Sequence, residues 1–323
     1  MINTIMALLT GVVLTMMGSF TFINGIEYLA YKFRWSQTFL GSVISPIITS
    51  TPELIVFTLA LILYGYEDVS IGTILGEPLI VSTLIYSTIL LLAIASYVFK
   101  RRLNYNLHVD RALKMPYIIF TVCFLIVLIT TFIGNIVVRY FISACLLLTY
   151  IAYIHLMYRV ESFLIEEVEK PYFSKILNPL IASTLQVITS ICLMYLGSEL
   201  MISNVKILAV KLNLSSIGVT IIVIPIATVL PEAITSILWS IKGRDTIALG
   251  CLIGEEVLYS TFYPALAFLV TDWSLDFSAM LSMIIVELIS LVVLLQVLKG
   301  KVNSLTIMLC LGLYVLYLKA LLR

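Results

Sequence analysis

Ile48-Thr49-Ser50-Thr51-Pro52-Glu53 and, 179 residues further on, Ala227-Thr228-Val229-Leu230-Pro231-Glu232 share a Thr-x-x-Pro-Glu pattern, and each lies within a long apolar run. The match extends outward without a gap from Leu14/Leu193 to Leu59/Leu238. It includes Gly18/Gly197, Ser19/Ser198, Lys32/Lys211, Ser36/Ser215 and Pro46/Pro225. After a one-residue slip it resumes at Gly72/Gly250, Gly76/Gly254, Glu77/Glu255, Ser82/Ser260 and Thr83/Thr261. Unrelated apolar helices coincide at leucine and isoleucine; they do not coincide at proline, glycine and glutamate. The chain is an internal duplication.

What surrounds the repeat is equally apolar. Of 323 residues, 61% are hydrophobic and 11% charged, with a mean hydropathy of +1.13. That leaves too little charge to cover a soluble surface, so lipid is the expected solvent. Cutting the apolar runs at charged or turn-rich breaks gives spans near 5–31, 39–64, 71–99, 116–134, 137–159, 180–210, 216–241, 247–270, 276–298 and 304–322. The expected fold is an all-α polytopic membrane protein with ten transmembrane helices in two inverted five-helix repeats. Residues 1–159 form the first repeat, 160–179 a polar cytoplasmic linker with Glu161, Glu166, Glu167 and Glu169, and 180–323 the second repeat. Each half has an odd number of spans, so the second enters the membrane the opposite way round.

The N-terminus lacks the basic region of a signal peptide and its apolar run is too long for one, so a retained first helix is expected. Five cysteines without CxxC spacing suggest neither a disulfide framework nor a zinc site. No basic tail is present for a nucleic-acid partner. Of the 19 basic residues, 14 fall in loops on one side of a ten-span layout, among them Lys32, Lys100, Arg101, Arg102, Lys114, Arg159, Lys242 and Lys299. The positive-inside rule makes that side cytoplasmic and puts both termini outside the cytoplasm, in what is expected to be the plasma (cell) membrane.

The second and seventh spans each carry two prolines, Pro46/Pro52 and Pro225/Pro231. Proline removes an N–H and frees a carbonyl. At membrane depth that carbonyl must face protein or a wet cavity, where it can ligate a hard cation. Four glutamates stand at matched intramembrane positions: Glu53, Glu77, Glu232 and Glu255. Each costs roughly 3 kcal/mol at a helix centre, so four cost roughly 12 kcal/mol, comparable with the stability of a whole domain. A purely structural role would leave them protonated and hydrogen-bonded between helices. Matched pairs with no interior Lys or Arg favour a cation site instead. Thr49 shares a helix face with Glu53, and Thr228 with Glu232. Gly72-xxx-Gly76 and Gly250-xxx-Gly254 would let the third and eighth spans approach a neighbour closely. Glu256, whose mate is Pro78, would line the same cavity or an access path, and Glu287 has no evident partner.

With those motifs in place the sequence resembles the calcium/cation antiporter superfamily, in particular its sodium/calcium exchanger branch. That family has ten spans in five-plus-five inverted halves, with G-T-S-L-P-E-like signatures in the second and seventh helices and G-N-x-x-G-S-like ones in the third and eighth. The resemblance implies that Glu53 and Glu232 are the central Ca²⁺ carboxylates, assisted by Thr49, Thr228 and nearby carbonyls, with Ser50 contributing to a flanking Na⁺ site. It implies alternating-access antiport of Ca²⁺ against Na⁺ or H⁺, with no cofactor beyond the transported ions, no enzymatic activity, and small cations and the lipid bilayer as partners. The departures are chemical. Ser50 is matched by Val229, which has no side-chain oxygen. Glu77 and Glu255 replace the family serine, and four residues later Val81 and Tyr259 stand in place of Asn or Asp. Carboxylates sharing a cavity cannot all ionise cheaply without a cation, so proton coupling is as natural here as Na⁺ coupling. A proton-coupled or other divalent-cation exchanger is one alternative. A non-transporting membrane protein retaining the fold is another. An intramembrane hydrolase has no Ser/His or His-metal cluster to support it. The sequence leaves the counter-ion and the oligomeric state open.

Overall fold

The structure is a computed structural model. It describes residues 2–33, 39–44, 46–47, 50–100, 104–109, 111–159, 169–175, 177–212, 216–229, 233, 236–237, 240 and 245–321. These residues are nearly all helical. Helix α1 is Ile2–Lys32, and a π-helical turn at Leu40–Ile44 precedes α2 at Thr51–Ile62. Helix α3, Glu67–Ile80, runs through a second π turn at Val81–Ile85 into α4, Tyr86–Val98. Then come α5 at Lys114–Thr130, α6 at Ile136–Arg159 and α7 at Pro179–Leu212. Helix α8 is Ser216–Thr228, α9 Asp245–Ser260, α10 Phe262–Val270, α11 Phe277–Leu298 and α12 Thr306–Leu321.

Six of these stretches are long and apolar enough to cross a membrane: Asn3–Ile26, Glu67–Val98, Arg111–Thr130, Ile136–Arg159, Pro179–Asn204 and Phe277–Leu298. Their outward faces carry large apolar side chains, such as Val137, Phe141, Leu148, Leu288 and Leu295. A water-soluble protein does not leave such continuous apolar surface bare; lipid covers it. The protein is an integral membrane protein.

Three features depart from the sequence reading. The second span is not one helix with kinks. Among the described residues it holds a π turn at Leu40–Ile44, helical residues 46–47 and then α2, with Ser50 at the N-cap and Pro52 in the first turn. Proline is well tolerated there, because a first-turn N–H has no intrahelical partner to lose. The eighth span is likewise divided at Thr261, between α9 and α10. The chain is also not purely α. Strand β1, Leu107–His108, pairs antiparallel with β2, Lys301–Val302. Val109 N–H donates to Gly300 O (3.0 Å) and Ser304 Oγ to Tyr105 O (2.8 Å), tying together the loops before α5 and α12. Strands this short follow from loop proximity, which no hydrophobic alternation announces.

Glycine sets the closest helix contacts, and the contacts are reciprocal. A Cβ on Gly18 would meet the Ser190 carbonyl and Met194, while one on Gly197 would meet the Gly11 carbonyl and Thr15. Those are the same positions exchanged between the halves. Helix α1 accordingly lies along α7 over much of its length. The third and eighth spans behave alike. Gly76 on α3 abuts Pro225 and the Ile221 carbonyl of α8, and Gly254 on α9 abuts Pro46 and the Ser42 carbonyl. Each half presses a glycine against the proline-bearing segment of the other.

Replacing Gly254 with Leu drives a side chain into backbone and proline ring, neither of which can yield, and should cost about 3 kcal/mol or more. Gly250→Ala meets only Leu113 Cδ2, at 3.5 Å, and should be tolerated. Thermal unfolding of the purified variants in detergent distinguishes the two; equal melting temperatures would contradict the close packing.

Candidate cation site

The sequence singled out Thr49, Ser50, Glu53, Glu77, Thr228, Glu232 and Glu255. Of these, Thr49 and Glu232 lie outside the described residues, and Thr228 is placed only as the last residue of α8. The other four are buried to about the same depth. Ser50, Glu53, Glu77 and Glu255 are each 1% exposed. Their elements converge: α3 packs against α2, α8 and α9, and α8 touches α2. Among the described residues no three His, Cys, Asp or Glu side chains are close enough to hold a metal ion by themselves.

Glu53 owes its environment to the interruption before it. It lies in the first turn of α2, where the unpaired N–H groups and the helix dipole favour negative charge. Glu77 and Glu255 stand inside α3 and α9, beside the glycines that bring those helices against the opposite half. Two backbone hydrogen bonds are matched between the halves. Ser50 N–H donates to Pro46 O (3.0 Å) and Leu54 N–H to Ser50 O (3.1 Å). At the matched positions Val229 N–H donates to Pro225 O (2.8 Å) and Ala233 N–H to Val229 O (2.9 Å). The side chains differ: Ser50 offers a buried hydroxyl with no hydrogen-bond partner among the described residues, and Val229 offers none.

Two carbonyls of the second span accept from tyrosine hydroxyls. Pro46 has no N–H to give the Ser42 carbonyl, and the Tyr153 hydroxyl of α6 donates to it instead, at 2.6 Å. The Tyr263 hydroxyl of α10 donates to the Ser50 carbonyl at 2.7 Å. Nothing in the repeat marks these tyrosines, since hydroxyl partners are chosen by tertiary packing.

Glu256 proves to be a bridge between the halves. The hydroxyls of Ser82 and Tyr86 donate to its two carboxylate oxygens, at 2.8 and 3.1 Å. Ser82 lies within the π turn of the first half and Tyr86 directly follows it, and their i,i+4 spacing sets them on one face. Glu287 is buried on α11, where Ser290 Oγ donates to its main-chain carbonyl at 2.9 Å. The Thr73 hydroxyl donates back to Val69 O at 2.9 Å and keeps its lone pairs for another partner. The rings of Tyr259 and Tyr263 lie 4.5 Å apart, so the residue that stands for a family Asn or Asp packs beside the tyrosine that holds Ser50.

Comparison with known proteins gives a consistent result. No curated protein matches the sequence. Among solved structures, the sodium–calcium exchanger NCX_Mj soaked with 2.5 mM Na⁺ and 10 mM Sr²⁺ superposes with a TM-score of 0.68 at 22% identity, over 99% of both chains. The same protein soaked with 10 mM Na⁺ and no Ca²⁺ gives 0.67 at 22% identity, again over 99% of both. At that identity the likeness shows a shared fold. The sequence pattern of the family described as sodium/calcium exchanger protein matches residues 3–159 and 182–323. The chain, with its paired Thr-x-x-Pro-Glu segments and reciprocal glycine contacts, therefore belongs to the sodium/calcium exchanger protein family, whose members are secondary transporters and not enzymes.

Proposed function

We propose that the protein is a secondary antiporter that moves Ca²⁺ against Na⁺ or H⁺ by alternating access, with its ion site between two inverted five-helix repeats of a ten-span fold. The observation that carries this reading is the reciprocity of the contacts around the buried carboxylates. Gly76 meets Pro225 and Gly254 meets Pro46, as an inverted duplication requires and as a single unrepeated bundle would not produce. Glu53 and Glu232 are the central ligands in this reading. Thr49, Thr228 and Ser50 supply hydroxyls, and Glu77 and Glu255 add charge from the third and eighth spans. Carboxylate and hydroxyl oxygens suit a hard cation. NCX_Mj, with the same fold, has been characterised soaked with Na⁺, Ca²⁺ and Sr²⁺. A non-transporting relative would have no reason to keep buried glutamates at matched positions in both halves.

Glu53→Gln or Glu232→Gln should abolish Ca²⁺ uptake into proteoliposomes while the variants stay folded, since the amide keeps the size and loses the charge. Normal rates in both single variants would refute the central assignment. Imposing Na⁺ and pH gradients separately identifies the counter-ion.

Orientation is a second test. With 14 of the 19 basic residues on one side, both chain ends are extracytoplasmic. Cysteine tags at each end should label with an impermeant reagent from outside, and a cytoplasmic C-terminus would overturn the layout.

The extra glutamates make transport pH-sensitive. Protons occupy the empty carboxylate cavity and Ca²⁺ displaces them, so apparent Ca²⁺ affinity falls as pH drops, by about tenfold per unit for each proton displaced. By reciprocity, Ca²⁺ binding must release protons, which a weakly buffered solution of purified protein reports directly. Changing Glu77 and Glu255 together to Ser should flatten the dependence. Affinity that is level from about pH 5.5 to 8, with no proton release, would remove these glutamates from coupling.

A further inference from the structure

We propose that Tyr263 is a specificity-determining residue: its hydroxyl closes the Ser50 carbonyl and so denies that main-chain oxygen to a monovalent cation on the first-repeat side of the site. This rests on the exchanger reading above and adds a residue that neither the repeat nor the matched motifs assign.

A carbonyl oxygen has two lone pairs. At Ser50 one accepts the Leu54 N–H at 3.1 Å and the other the Tyr263 hydroxyl at 2.7 Å. The oxygen is saturated. The matched carbonyl, Val229 O, accepts the Ala233 N–H at 2.9 Å, and no second donor reaches it among the described residues. The repeat explains the difference. The position matching Tyr263 is Ile85, which has no hydroxyl to give.

The matched positions 50 and 229 therefore differ in the oxygens they offer. Ser50 presents a buried hydroxyl beside the Glu53 carboxylate, with its carbonyl closed. Val229 has no side-chain oxygen, and among the described residues its carbonyl has no second donor. A carboxylate attracts a divalent cation twice as strongly as a monovalent one at the same distance, so neutral oxygens make up a larger share of what holds Na⁺. Closing a neutral ligand thus weakens Na⁺ binding more than Ca²⁺ binding. Tyr263 is well placed to hold that position, being buried, tilted against Tyr259 with ring centroids 4.5 Å apart and set edge-on to Phe262 at 5.7 Å.

The test is Tyr263→Phe, which keeps the ring and its packing and removes only the donor. Na⁺ and Ca²⁺ affinities are read separately, from ion-induced thermal stabilisation of purified protein and from half-saturating concentrations in proteoliposome flux. The expected result is a Na⁺ affinity raised about fivefold, the equivalent of one typical hydrogen bond, with Ca²⁺ affinity changed less than about twofold. A merely structural hydroxyl would weaken both ions together or lower only the melting temperature. Unchanged or weaker Na⁺ binding overturns the proposal. Tyr263→Met, which also lacks the hydroxyl, is read the same way if the phenylalanine variant does not purify. If the unmodified protein neither binds nor moves Na⁺ or Ca²⁺ in any gradient, the exchanger reading falls, and this inference with it. If it exchanges normally and the variant leaves Na⁺ affinity unchanged, only the inference falls.

Discussion

Water is absent from the hydrocarbon core, so every backbone group released by an interrupted helix must be met by protein or by an ion. That constraint organises the centre of this molecule. The helix start at Ser50 sets Glu53 in the first turn of α2, where the backbone favours its charge. Just before it, the Ser42 and Ser50 carbonyls accept from tyrosine hydroxyls of α6 and α10, which anchors those helices to this segment. On the proposed reading, the segment that makes the cation site also decides which helices surround it.

The same segment is gripped from the other half by glycine. Gly254 rests against Pro46 and the Ser42 carbonyl, and Gly76 against Pro225 and the Ile221 carbonyl. Backbone approach at this range is open only to residues without a Cβ, and in lipid such packing substitutes for the missing hydrophobic drive between helices. Glycine, proline and glutamate therefore recur together in the two halves because each depends on the others. In the first half Pro52 opens α2, Glu53 stands in its first turn, and Gly254 lets the partner helix close on Pro46.

Most of this was legible in the sequence, for a physical reason. Prolines, glycines and intramembrane carboxylates are expensive in an apolar helix, so their recurrence at one spacing carries information that leucine does not. Pro46, Gly76, Glu53 and their mates announced themselves. What stayed hidden depends on long-range geometry. The sequence could not say that Pro52 starts a helix instead of bending one, nor that the Tyr153 and Tyr263 hydroxyls would occupy carbonyls on the second span. Glu256 was visible as an unmatched acid, but its donors Ser82 and Tyr86 lie some 170 residues away and are ordinary residues in any apolar helix. The β1–β2 ladder is too short for any alternation to show.

The departures from symmetry carry a consequence of their own. On the proposed alternating-access reading, exchanging the conformations of the two halves converts one access state into the other. Were the halves identical, the two states would be equal in energy and equally populated. Bonds made by only one half break that degeneracy. Glu256 accepts from Ser82 and Tyr86, while its mate Pro78 can accept nothing through its side chain. Tyr263 holds Ser50, while Ile85 cannot hold Val229. Each such bond, worth about 1 kcal/mol, tilts the balance about fivefold if it survives in one state and is lost in the other. For the proposed exchanger the bias must stay small, because one that rests too firmly in one state turns over slowly. A few unmatched hydrogen bonds laid over a largely matched scaffold suit that requirement: the duplicated residues keep both states accessible, and the unduplicated ones choose which is favoured.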